Sequence, residues 1–178
     1  MTNMLKIFGA RRASASVVVL FGAALHALAA SPAPGLERFY IGTYAGVISQ
    51  ASLNLSAATM GTISLAATTT DPSFLALTPN RAFLYSVNEG PATVSAFSVN
   101  ATNGSLKLLN QMPSNGGAPA YVLVDRSGRN VIVANYNGGS VTVFPIKADG
   151  KLGAATAHIQ HPGSCKLDCV NGQRQLRG

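Results

Sequence analysis

A repeat constrains this chain more than its composition does. The segment Pro72 to Leu77, followed by Phe83 to Glu89 and Val94 to Val99, recurs without a gap 47 residues later as Pro119 to Val124, Val131 to Tyr136 and Val141 to Ile146. Identities are few: Pro72 with Pro119, Asn88 with Asn135, Val94 with Val141, Phe97 with Phe144. The order of apolar runs and turn residues carries the match. Each unit continues into a turn, Asn103-Gly104 in one and Asp149-Gly150 in the other, where glycine accepts a positive φ and Asn or Asp tolerates one. A weaker earlier copy runs through Arg38 to Tyr44, Ala51 to Leu55 and Gly61 to Leu65, and it lacks the opening strand.

Each full unit reads as four short strands, rich in β-branched and aromatic residues and punctuated by Gly, Pro, Asn and Asp. Four strands in roughly 45 residues is the signature of a β-propeller blade. The expected fold class is therefore all-β, a β-propeller of four-stranded blades, here an incomplete arc of about three blades near residues 38–70, 72–114 and 119–160. A sandwich is the alternative, disfavoured because its strands need not recur in fours. Three units do not close a ring of about four to eight blades, so open sheet edges are expected, with self-association through strand pairing.

The formal charge of +7 belongs to the ends of the chain. Lys6, Arg11 and Arg12 contribute +3 before residue 31, and Lys166, Asp168, Arg174 and Arg177 contribute +2 after residue 164, leaving +2 for residues 31–164. Scattered cations on a near-neutral body offer no phosphate-tracking stripe, which argues against a nucleic-acid partner. Residues 1–30 place those cations before the apolar run Val17 to Leu25 and the small residues Ala27-Leu28-Ala29, the order of a secretory signal peptide. Cleavage near Ala29 or Ala30 would leave an exported protein, periplasmic or secreted, with no stable membrane insertion; the run is short for an uncleaved anchor. Cys165 and Cys169 have no second pair or histidine doublet to complete a zinc site, so no metal and no cofactor is called for. Export would permit a disulfide between them; two incidental thiols in a disordered tail over residues 165–178 is the preferred reading.

Phe39 to Tyr44 (FYIGTY), Pro72 to Glu89 and Gly116 to Ile146, followed by Asp149-Gly150 and His161-Pro162-Gly163-Ser164, resemble the lactonase family of seven-bladed propellers, the 6-phosphogluconolactonase type. The resemblance covers residues 38 to about 164 and is specific as an ordered set. It implies hydrolysis of a sugar-acid lactone, with a small-molecule lactone or sugar acid as partner. The family pattern continues with V-N-x-x-R-Q, a histidine element and further blades. Val170 to Gln175 is similar to its beginning, whereas residues 165–169 fit poorly. The expectation is a truncated or frame-disrupted product, inactive by itself if the later histidine element is required. Export favours an unphosphorylated lactone, and carboxymuconate cyclisation is a related chemistry on this fold group.

The repeat places Thr43, Asn88 and Asn135 at one blade position, with Tyr44, Glu89 and Tyr136 just after them. These six are expected to form a polar arc at one channel mouth, with Thr43, Tyr44, Asn88, Asn135 and Tyr136 as ligand-binding candidates. Their alternative role is to satisfy turn backbone groups at strand ends. Lactone hydrolysis needs a base for water, donors for the oxyanion and cations for an acidic substrate. Glu89 is the carboxylate in that arc, His161 a base or donor near the third blade, and Arg174 the match to the family's R-Q pair; these are the catalytic candidates. A non-catalytic propeller that binds a ligand or protein through its mouth is the reading from another class.

Overall fold

The computed structural model describes residues 35–162 and, further on, the strands at 167–170 and 173–176. The leader expected over residues 1–30 and Cys165 lie outside the described residues. Three antiparallel four-stranded sheets follow one another along the chain. The first holds β1 (Leu36–Gly42), β2 (Val47–Asn54), β3 (Thr59–Met60) and β4 (Ser64–Thr68), with β1 on one side of β2 and β3 and β4 on the other. The second runs in order through β5 (Pro72–Leu77), β6 (Phe83–Asn88), β7 (Thr93–Val99) and β8 (Leu106–Pro113). The third repeats it through β9 (Pro119–Val124), β10 (Asn130–Asn135), β11 (Ser140–Pro145) and β12 (Ala157–Gln160). The fold is an incomplete β-propeller arc of three blades.

Two local differences separate the structure from the sequence reading. The segment of the first blade expected at Gly61 to Leu65 is replaced by β3 just before it and β4 from Ser64: Gly61 donates its N–H to Ser52 O in the register of β3, and the pairing with β2 then slips by one residue before Gln50 meets Ser64. The tail expected to be disordered contains a short antiparallel hairpin, β13 (Leu167–Val170) with β14 (Gln173–Leu176), in which Cys169 pairs with Arg174.

Packing follows the blade order. Ile48 and Ala66 of the first blade meet Leu84 and Phe97 of the second in one apolar layer. Tyr85, Val87, Val94 and Ala96 of the second blade meet Val122, Val131, Val133 and Phe144 of the third in a larger one. Strand β6, covered on both faces, is buried from Leu84 through Asn88, while β10 alternates buried and half-buried positions. A hydrogen bond clasps each junction. Tyr40 donates its hydroxyl to Gly104 O at 2.8 Å, and Tyr85, its counterpart one blade on, donates to Gly150 O at 2.9 Å. Both acceptors are glycines with left-handed φ, 76° and 82°, and a Cβ on Gly150 would collide with the Phe83 ring. Burial raises the Tyr85 phenol well above its usual range.

Candidate functional site at one mouth of the arc

Antiparallel register sends β1, β6 and β10 upward to the same end, so the turns at residues 43–46, 89–92 and 136–139 share one mouth. The structure brings two of the proposed residues into contact there. Tyr44 donates its hydroxyl to Glu89 Oε2 at 2.5 Å, joining the first blade to the second. That hydrogen bond is the main reason the Tyr44 phenol lies above its usual pKa, and it keeps the hydroxyl protonated as a donor. Thr43 serves its own turn, donating to Val47 O and accepting from Ala45 N.

Asn88 and Asn135 point into their blades rather than the mouth. Asn88 is fully buried; its Nδ2 donates to Thr93 Oγ1 and Ser95 Oγ, and its Oδ1 accepts from Ser86 Oγ. Asn135 repeats the device, with Nδ2 donating to Ser140 Oγ, Thr142 Oγ1 and Ser114 O, and its buried Oδ1 has no partner among the described residues. These amides staple the second strand of a blade to its third. Tyr136 is 80% exposed at the mouth above the third blade. His161 stands at the same end, exposed, its backbone N–H on Gly139 O at 2.9 Å. Arg174 is placed only by its pairing within the β13–β14 hairpin.

One residue of this site escaped the sequence reading. Asp71, in the left-handed region at φ 48°, accepts Glu89 N–H on its carbonyl, and its carboxylate rests against Gly90, where a Cβ would collide with it. A groove of about 490 Å³ opens beside it, lined by Tyr44, Gly46, Thr68 and Asp71 among others. The Asp-Pro step before the inner strand was its signal, but the repeat places Ala118 at the equivalent position, so the alignment gave it no support.

Charge divides between the two ends. Within residues 35–162 the mouth carries Asp71 and Glu89 and no Lys or Arg, a formal −2. The seven Lys and Arg residues of 35–162, Arg38, Arg81, Lys107, Arg126, Arg129, Lys147 and Lys151, lie in the opposite, basal half. With Glu37, Asp125 and Asp149 there, seven minus three leaves +4.

A family model described as Lactonase, 7-bladed beta-propeller, matches residues 38–175. The chain belongs to this family. Within the lactonase family it is 32% identical over 131 residues to a 6-phosphogluconolactonase of Bacillus subtilis, covering 70% of this chain and 37% of that protein. Among solved structures, a Bacteroides fragilis protein assigned as a 6-phosphogluconolactonase superposes with a TM-score of 0.67 at 33% identity, covering 76% of this chain and 39% of the other. The periplasmic gluconolactonase of Pseudomonas aeruginosa gives 0.66 at 25% identity, over 75% of this chain and 40% of that one. The chain thus spans about two fifths of the length of these lactonase relatives.

Proposed function

We propose that this arc supplies part of the substrate mouth of an exported sugar-acid lactonase, with Glu89 as general base and Tyr44 as the residue that positions it. The observation that carries the reading is the Tyr44–Glu89 hydrogen bond across two blades at the mouth of a lactonase-family propeller. With Oε2 held by Tyr44, Oε1 accepts no hydrogen bond among the described residues and can take a proton from water. The water oxygen then bonds to the lactone carbonyl carbon, the carbonyl oxygen becomes the oxyanion, and collapse breaks the ring C–O bond. The leaving ring oxygen takes the proton that Glu89 received from water, giving a hydroxy acid that ionises to the carboxylate and returning Glu89 to its starting form. Tyr136 and His161 are the donors nearest in blade order to receive the developing charge.

An uncharged lactone suits this mouth better than a phosphorylated one, since Asp71 and Glu89 repel a phosphate dianion and no Lys or Arg of residues 35–162 stands at that end to offset them. Acid release from glucono-δ-lactone at constant pH, above the spontaneous rate, tests the proposal. Turnover should fall about a hundredfold in Glu89→Gln and less in Tyr44→Phe, and the 6-phosphate should be the poorer substrate. Turnover unchanged by Glu89→Gln would overturn it.

The second reading, a mouth that binds without turning over, is favoured by the inward commitment of Asn88 and Asn135, which leaves mainly exposed tyrosines around two carboxylates. Saturable lactone or gluconate binding by calorimetry, lost in Tyr44→Ala and accompanied by no acid release, would establish it instead.

A further inference from the structure

A second cavity, of about 310 Å³, lies at the basal end between the second and third blades. Its walls come from repeat-equivalent turns, 78–82 after β5 and 125–129 after β9, together with the segment that follows β11. Both turns are braced from within. Thr78 Oγ1 donates to Asn80 Oδ1 at 2.7 Å and accepts from Phe83 N, while Asp125 accepts from Arg129 N, Asn130 N, Ser127 Oγ and Asn130 Nδ2. Phe83 and Ile146 are the large apolar side chains of its lining, which is otherwise mixed.

Beside Ser127 Oγ, whose proton is committed to Asp125, the rim keeps two uncommitted side-chain donors. Asn80 Oδ1 is occupied by Thr78 Oγ1 and Ala82 N, which leaves its Nδ2 as a donor without a partner among the described residues. Lys147 has no carboxylate partner among them either; the two ion pairs described are Arg81 with Glu37 and Lys151 with Asp149. The cavity therefore combines the apolar side chains of Phe83 and Ile146 with the ammonium-bearing Lys147 and the amide of Asn80 in its lining, in the half of the arc that carries +4.

We propose that this basal cavity binds a small organic monocarboxylate, its hydrocarbon body on Phe83 and Ile146 and its carboxylate on Lys147 and Asn80. Pockets of this kind take most of their ligand's area on apolar walls and fix its orientation with a few polar groups. A single ammonium and one neutral amide match a monoanion better than a heavily hydrated phosphate, which requires more donors. Both walls lie within the described arc, and the site does not depend on the lactonase reading of the opposite mouth.

The test is a titration of the whole chain with benzoate, followed by amide chemical shifts in two-dimensional NMR. Saturable shifts are expected at Gly128, Lys147 and Ala148, weakening as salt is added. Benzyl alcohol, lacking the charge, and inorganic phosphate, lacking the apolar body, should each bind at least about five times more weakly. Lys147→Gln, at an exposed position that folding does not need, should weaken benzoate by a similar factor, and so should Asn80→Ala. Shifts that never saturate, equal affinity for benzyl alcohol or phosphate, or an unchanged Lys147→Gln would each overturn the site.

Discussion

Val94 and Val141 are the same residue at the same place in successive blades, and their surroundings are opposite. Val94 is fully buried against the third blade, whereas Val141 is 37% exposed. Their neighbours follow suit: half-buried Met112 packs on the apolar layer between blades, and its counterpart Ile159 is 64% exposed. Buried Tyr85 corresponds to Ile132, which is only half-buried and offers no hydroxyl to clasp another turn. The same binary pattern thus produces a core on one blade and an apolar surface on the next. Whether a blade's apolar residues stabilise it depends on what stands opposite, so the energetic unit of this fold is the junction rather than the blade.

The contrast is sharpest for large side chains. Tyr85→Ala should cost about 3–5 kcal/mol in urea unfolding, and Ile132→Ala, its repeat partner, about 1 kcal/mol. Equal losses would show that the outward face of the third blade is packed in solution. With identical chemistry at both positions, Val94→Ala should cost about 2 kcal/mol and Val141→Ala about 0.5 kcal/mol. Removing only the clasp, Tyr85→Phe should cost about 1 kcal/mol, and hydrogen exchange at the Gly150 turn should quicken relative to the Asn103-Gly104 turn. Acid titration adds a smaller effect. Asp125 is held well below the usual carboxylate range, first by the Asn130 side chain and then by Ser127, so its contribution is complete above the ordinary Asp pKa. It is lost only as pH falls through the depressed folded value, and Asp125→Asn should flatten that part of the stability profile. Ile159→Lys should leave stability unchanged while reducing self-association in sedimentation, if the exposed apolar face promotes it; the same sedimentation profile in both would point to the sheet edges instead.

The strands were legible because their signal is local. Pro72–Leu77 and Pro119–Val124 form where the repeat places them, each opened by a proline at the start of an inner strand. Blade junctions were half legible. The Tyr40 and Tyr85 clasps recur at a spacing of 45, two residues short of the main repeat, and so stayed hidden in the 47-residue alignment. The site was harder to read, because sequence locates a residue at a strand end without saying which way its side chain turns. Asn88 and Asn135 turn inward toward hydroxyls at Thr93 and Ser95, or Ser140 and Thr142. Those hydroxyls recur at the same spacing as the amides, and that recurrence was the available clue to an internal staple. Tyr44 and Glu89 meet through a contact between blades, which no single repeat contains.

The division of charge between the two ends gives the arc a preferred way to lie. On a negatively charged support, whether an anionic lipid sheet, an acidic cell-wall polymer or a cation-exchange resin, the described arc settles with its basal turns down. Tyr44, Glu89 and Tyr136 then face the open solution, so immobilisation by charge alone would present the mouth to solutes and cover the basal cavity.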